Sequence, residues 1–221
     1  MKCFTRIVLL LSFPLFSDAQ QNPYWQEPNR VQADSFRVIF QKTSNDSLRM
    51  YCCRELGLYY QEINSDSSLY FYEQQLVFAQ KLELKIWEAE ALNRIGYVSS
   101  LLGNYPKSLI VLLNAKEIAD DKETEKNIWH VSLFSKDNNP EISRLTLSAS
   151  IEQHTGILYF FTGDSTKALS HYFECRKIAE SLNDKALLSL VNMNIGEVFL
   201  GQIKLDSALN AEQRALKYCN E

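Results

Sequence analysis

Small and apolar positions recur along the chain at helical offsets of four and seven residues, and they do so four times. The stripes Ser68–Tyr72–Gln75, Ser108–Leu112–Ala115, Ala168–Tyr172–Cys175 and Ala208–Glu212–Ala215 each fall on one helix face, with Gln75 and Glu212 the polar exceptions. Each opens on a small residue followed by leucine: Leu69, Leu109, Leu169 and Leu209. Ahead of every stripe a second helical segment is predicted, centred on a glycine. These segments are CRELGLYY around Gly57, LNRIGYVS around Gly96, EQHTGILY around Gly156 and NMNIGEVF around Gly196. A turn separates the two helices. Gly103 and Gly163 lie seven residues past their helix glycines, Asn64 takes the same place in the first unit, and Gly201 follows Gly196 by five. The pattern predicts four helical hairpins in which four glycines sit inside helices and three end them. Seven glycines and five prolines in 221 residues are too few turn residues for a hairpin-rich β fold.

A glycine inside a helix costs roughly 1 kcal/mol against alanine. Four such costs in phase imply a compensating close approach by the partner helix, which a Cβ would block. The small residue of the second helix is expected to meet the glycine, with large aromatics filling the space to either side. A single hairpin cannot bury its own apolar face, so the hairpins must stack.

These features together resemble the tetratricopeptide repeat, in which W-x2-L-G-x2-Y is followed by A-x3-F and a proline. The resemblance covers about residues 45–220. It departs from the pattern at the opening Trp, where Cys53, Leu92, Glu152 and Asn192 stand, and at the closing Pro, which is absent. It implies an all-α chain, a right-handed α-solenoid of about four antiparallel hairpins. The glycines are 39, 60 and 40 residues apart, against 34 in the usual repeat. Six extra residues, three per helix, add close to one turn to each helix and keep the stack in register. The longer gap holds a 20-residue insertion near 121–140, within Asp120–Ile142. Its apolar run Ile128–Phe134 is expected to pack on the array, and Asn139–Pro140–Glu141 reads as a helix start.

The first 19 residues read differently. Lys2 and Arg6 precede the apolar run Ile7–Phe16, and Ser17–Asp18–Ala19 offers a small-residue exit. This is a secretory signal peptide pattern, too short for a mature membrane anchor. It predicts export to the periplasm or another extracytoplasmic space after cleavage near Ala19. Residues 20–44 then form a polar leader and a covering helix over Val31–Gln41. No later segment is apolar enough to span a membrane. The abrupt end at KYCNE, with little capping sequence, suggests a piece of a longer protein.

Charge narrows the partners. The chain carries 23 basic and 27 acidic residues, and losing Lys2, Arg6 and Asp18 leaves 21 and 26, a balance of −5 without a basic block. That disfavours nucleic acid. Cys52, Cys53, Cys175 and Cys219 have no framework spacing; they read as buried thiols, with a disulfide left open. No phosphate loop, dinucleotide motif or H-E-x-x-H is present, and His130, His154 and His171 sit on separate elements. Neither an enzyme nor a cofactor or metal site is expected.

The surface remains. In the fold that the resemblance implies, the first helix of each hairpin lines a concave groove. By helical offset the groove positions are Arg54, Leu58, Asn93, Tyr97, Gln153, Ile157, Met193 and Glu197, with Gln61, Ser100, Phe160 and Leu200 one turn further on. These side chains either hold a protein or peptide by apolar and amide contacts or complete the packing between repeats. Only Arg54 and Asn93 suit a carboxylate clamp, so that mode is not expected. Exported repeats of this length with aromatic-rich first helices are similar to the extracytoplasmic input regions of bacterial sensor histidine kinases. The resemblance implies a sensing or relay role by partner binding, with any kinase outside this chain. The alternative is a stand-alone exported scaffold.

Overall fold

The computed structural model describes residues 26–127, 129–134 and 138–219. The expected signal peptide at 1–19 lies outside the described residues. Those described form nine α-helices and two short 3-10 turns, with no strand among them. Helix α1 is Arg30–Lys42. Four antiparallel hairpins follow: α2 (Asp46–Tyr60) with α3 (Ser65–Lys81), α4 (Lys85–Leu101) with α5 (Tyr105–Asp120), α6 (Pro140–Phe161) with α7 (Ser165–Leu182), and α8 (Lys185–Gly201) with α9 (Leu205–Cys219). Each helix packs mainly on its neighbours in sequence, and α1 lies against α2. The chain is an α-solenoid.

Side-chain caps set most helix starts. Asn29, Asn45, Asn64, Asn104, Asn139, Asp164 and Asp184 each accept a first-turn backbone N–H. Two helices lack this. Leu84 precedes α4 and makes no side-chain cap. Lys204 precedes α9, and an ammonium has no acceptor to offer.

The hairpin seam follows from the glycines, with one correction. A Cβ built on Gly57, Gly96 or Gly156 would strike Tyr72, Leu112 or Tyr172, the residue four places after the small one. The large side chain therefore fills the glycine gap itself. The small residue binds just beside it: Ser68 Oγ donates to Gly57 O at 2.9 Å and Ser108 Oγ to Gly96 O at 2.8 Å. The turns also differ from expectation. Gly103 and Gly163 adopt φ +76° and +82°, but Gly201 completes α8 and Ile203 takes the left-handed place at φ 59°. Asn64 is extended, at φ −156°, and serves as the cap of α3.

Two large cores, beside a small one of Tyr72, Ile95 and Val98, run through the described residues. One joins Met50, Trp87, Leu92, Leu147 and Ile151 and includes Phe134 from the insertion. The other joins α6 to α9 through Tyr172, Cys175, Leu187, Val191 and Ile195. The insertion contains the two 3-10 turns, Lys122–Glu125 and Val131–Leu133. Trp87 Nε1 donates to Trp129 O at 2.8 Å, Arg144 Nε pairs with Glu125 at 2.6 Å, and Phe134 is fully buried. Cys52, Cys53, Cys175 and Cys219 are free thiols, the first three buried.

Candidate functional site

The first helices α2, α4, α6 and α8 present equivalent positions to one shared inner face. What they do there changes along the stack. In the first hairpins this face is polar and closed. Glu90 on α4 is fully buried and lies at the centre of a charge network. Arg94 Nε reaches its Oε1 at 3.1 Å and Arg54 Nε approaches the same oxygen at 3.5 Å. Gln75 Nε2 from α3 donates to its other oxygen. Arg54 also pairs with Glu55 at 2.5 Å and lies over the Phe134 ring at 6.0 Å. A buried carboxylate needs such company, because desolvation of a lone charge is severe.

The next link joins α4 to α6. His154 Nδ1–H donates to Asn93 Oδ1 at 2.8 Å, and Asn93 Nδ2 donates to Ser150 Oγ at 2.9 Å. The Tyr97 ring stacks on His154 with centroids 4.6 Å apart. Burial holds the His154 pKa well below the usual histidine range, and the nearby Arg94 guanidinium pushes the same way. Burial also raises the Tyr97 phenol to about 12. Both rings are therefore neutral at pH 7.

At α8 the character reverses. Leu190, Met193, Glu197 and Leu200 form one stripe on that helix, and all four are exposed. Ile157 and Phe160 of α6 are half-buried alongside the second core, and Phe161 is exposed. Glu212 lies over Gly196, where the other hairpins place Tyr or Leu. Desolvation first and the Glu197 charge second raise its pKa, so the two carboxylates share one neighbourhood.

The expected groove positions therefore divide. Arg54, Leu58, Asn93 and Gln153 are buried, as are Gln61 and Ser100. They complete the packing between repeats and offer no surface to a partner. The reason is the packing of α4 on α6 and, at α2, the side chains of Glu55, Glu90 and Phe134 around Arg54, which close the face that the offsets alone would leave open. Tyr97, Ile157 and Phe160 are half-buried, and Met193, Glu197 and Leu200 face solvent. Residue spacing did not identify Glu90 or His154 as inner-face residues. The place of His154, two before a helix glycine, is polar or charged in every hairpin (Glu55, Arg94, His154 and Asn194), which was its one sequence signal; the place of Glu90, six before, holds Tyr51, Ser150 and Leu190 elsewhere and carried none. Elsewhere, His171 Nδ1 meets Glu152 at 2.7 Å and stacks on Tyr159, tying α6 to α7.

Among the described residues no group of His, Cys, Asp and Glu could hold a metal ion, and no helix is long and apolar enough to cross a membrane. The sequence matches no protein-family model and no curated protein. The structure is similar to the crystal structure of BtubC (BKLC) from P. vanneervenii, with a TM-score of 0.60 and 18% identity over 85% of this chain and 72% of that one. At that identity the likeness speaks for the helical-repeat fold alone.

Proposed function

We propose that this chain is an exported protein- or peptide-binding module of tetratricopeptide-type repeats, and that it serves as the sensing or relay input region of a sensor histidine kinase. The observation that carries the binding role is the α8 stripe, where Leu190, Met193 and Leu200 are exposed around Glu197. An apolar stripe on a solvated helix is the usual mark of an interaction surface. The repeat type is supported by four glycine, small-residue and aromatic sets in phase. Export is supported by the charged start, apolar run and small-residue exit of residues 1–19. The fitting partner is a segment that presents apolar side chains together with a Lys or Arg for Glu197.

The binding reading is tested by selecting displayed peptides against the chain and against Met193→Asp with Leu200→Asp. Enrichment of apolar sequences bearing a basic residue, lost on the double variant, is expected. Acidic peptides, or peptides retained by the variant, would sink it. The sensor reading has its own test, the reading frame downstream of Glu221. A frame that continues into a membrane span and a kinase is expected, whereas a stop codon would leave a stand-alone scaffold.

A further inference from the structure

A polar link recurs between successive hairpins and fails at the third joint. The residue three places before one helix glycine meets the residue six places before the next. Arg54 Nε lies 3.5 Å from Glu90 Oε1, and Asn93 Nδ2 donates to Ser150 Oγ at 2.9 Å. At the third joint the same two places hold Gln153 and Leu190. Leucine has no polar atom to offer, and Leu190 is 38% exposed. The other link between α4 and α6, from His154 Nδ1–H to Asn93 Oδ1 at 2.8 Å, has Asn194 and Gln153 as its counterparts. Two amides can make that bond. Yet Gln153 Oε1 and Asn194 Nδ2 are both buried without a hydrogen-bond partner among the described residues. One acceptor and one donor are thus left open at equivalent places, and buried polar atoms left unpaired are costly. The grip of α7 on α8 is apolar. Leu187, Leu188 and Val191 share a cluster with Cys175 and Ala179, and such contacts carry no direction.

We infer that the joint between the third and fourth hairpins is a hinge with two states, the open one seen in the structure and a closed one in which Asn194 Nδ2 donates to Gln153 Oε1. Helices α8 and α9 move as one body, since Ser189 Oγ on α8 donates to Ala215 O on α9 at 3.1 Å and their apolar faces are shared. Small sliding of packed helices keeps the contact of α7 with α8 largely intact. One net hydrogen bond biases an equilibrium by only about two- to tenfold, so both states are populated. The first two joints are held more firmly. Gln75 reinforces Glu90, the Tyr97 ring lies on His154, and the insertion braces α4 through Trp129 O and Trp87 Nε1. Closure narrows the inner face between Ile157 of α6 and Met193 of α8. A partner that touches both helices favours the closed state; that consequence rests on the binding role proposed above, and the hinge does not.

Distances between two spin labels, measured without any partner, test the inference. The labels go on Leu102→Cys, just past α4, and Leu200→Cys, near the end of α8; both places are exposed. Cys219→Ser removes the half-buried native thiol, and Cys52, Cys53 and Cys175 are buried. Two distance populations within about tenfold of each other are expected. Asn194→Leu cannot close the link and should leave only the longer distance. The triple change Gln153→Asn, Leu190→Ser and Asn194→His copies the residue set of the second joint and should leave only the shorter. A single population in the parent chain overturns the inference. So does a shorter population that survives Asn194→Leu, whether or not the triple variant folds, and so does a folded triple variant that keeps the longer distance.

Discussion

Helices α4 and α8 hold the same place in their hairpins, each with a glycine at its centre, yet they meet different surroundings. Every residue of α4 from Ile86 to Ser100 is buried except Tyr97. In α8 an entire stripe stays in solvent. The difference lies in what faces each helix. Arg54 from α2, Gln75 from α3 and His154 from α6 converge on α4, and the insertion adds Trp129 against Trp87. Helix α8 has α7 and α9 as its main neighbours, and its contact with α6 is slight. Repetition of a motif therefore fixes the seam within each hairpin but not the use of the inner face. A position that carries charge in the middle of the stack can carry an exposed leucine at the end.

The comparison can be broken most severely at Glu90. Glu90→Ala leaves Arg54 and Arg94 with less counter-charge in a buried place, and a loss of roughly 3–5 kcal/mol is expected in urea unfolding. The corresponding place on α8 is Leu190, where truncation to alanine should cost under about 1 kcal/mol, because the side chain is already exposed. Equal losses at the two sites would remove the distinction between a closed and an open face.

The glycines give a smaller contrast. In Gly156→Ala the new methyl collides with the Tyr172 ring, which is buried and cannot retreat. A destabilisation of about 1–3 kcal/mol is expected. In Gly196→Ala the methyl meets only the end of Glu212, an exposed and flexible side chain. That variant should be neutral or gain up to about 1 kcal/mol of helix propensity. Thermal melting of both variants checks the sign of each change.

The smallest effect expected is a pH slope. Burial depresses the His154 pKa in the folded chain, so the unfolded chain binds the proton more readily. The stability that comes from a neutral His154 is complete above the ordinary histidine pKa of about 6.5 and falls as pH drops below it, by at most about 1.4 kcal/mol per pH unit. Arg94, Tyr97, Asn93 and Ser150 surround the ring and add no carboxylate to rescue the charged form. Urea midpoints from pH 7 down to 5, compared with those of His154→Gln, isolate this contribution. An unchanged slope in the variant would assign the acid sensitivity to other groups.

Local chemistry settled the elements of this chain. Offsets of four and seven residues, in-phase glycines and Asn or Asp before helix starts suffice for helices and hairpins, since those signals act within a few residues. The Gly156–Tyr172 seam was legible because both partners recur at fixed spacing, although the identity of the gap-filling residue was misassigned by one turn. The inner face was not legible. Helical offset told which side Arg54, Asn93 and Gln153 occupy, and that side is inside the stack; burial there depends on how closely α4 and α6 approach and on the side chains that bridge α2 to α4. That approach is a sum of contacts far apart in sequence, such as Asn93 with His154 and Arg54 with Glu90 and Phe134. The same holds for the joint at α8. Gln153 and Asn194 follow the repeat and could be read from the sequence, but only the tertiary structure decided that the link between them stays open, because a hydrogen bond across a joint is a property of both helices and not of either alone.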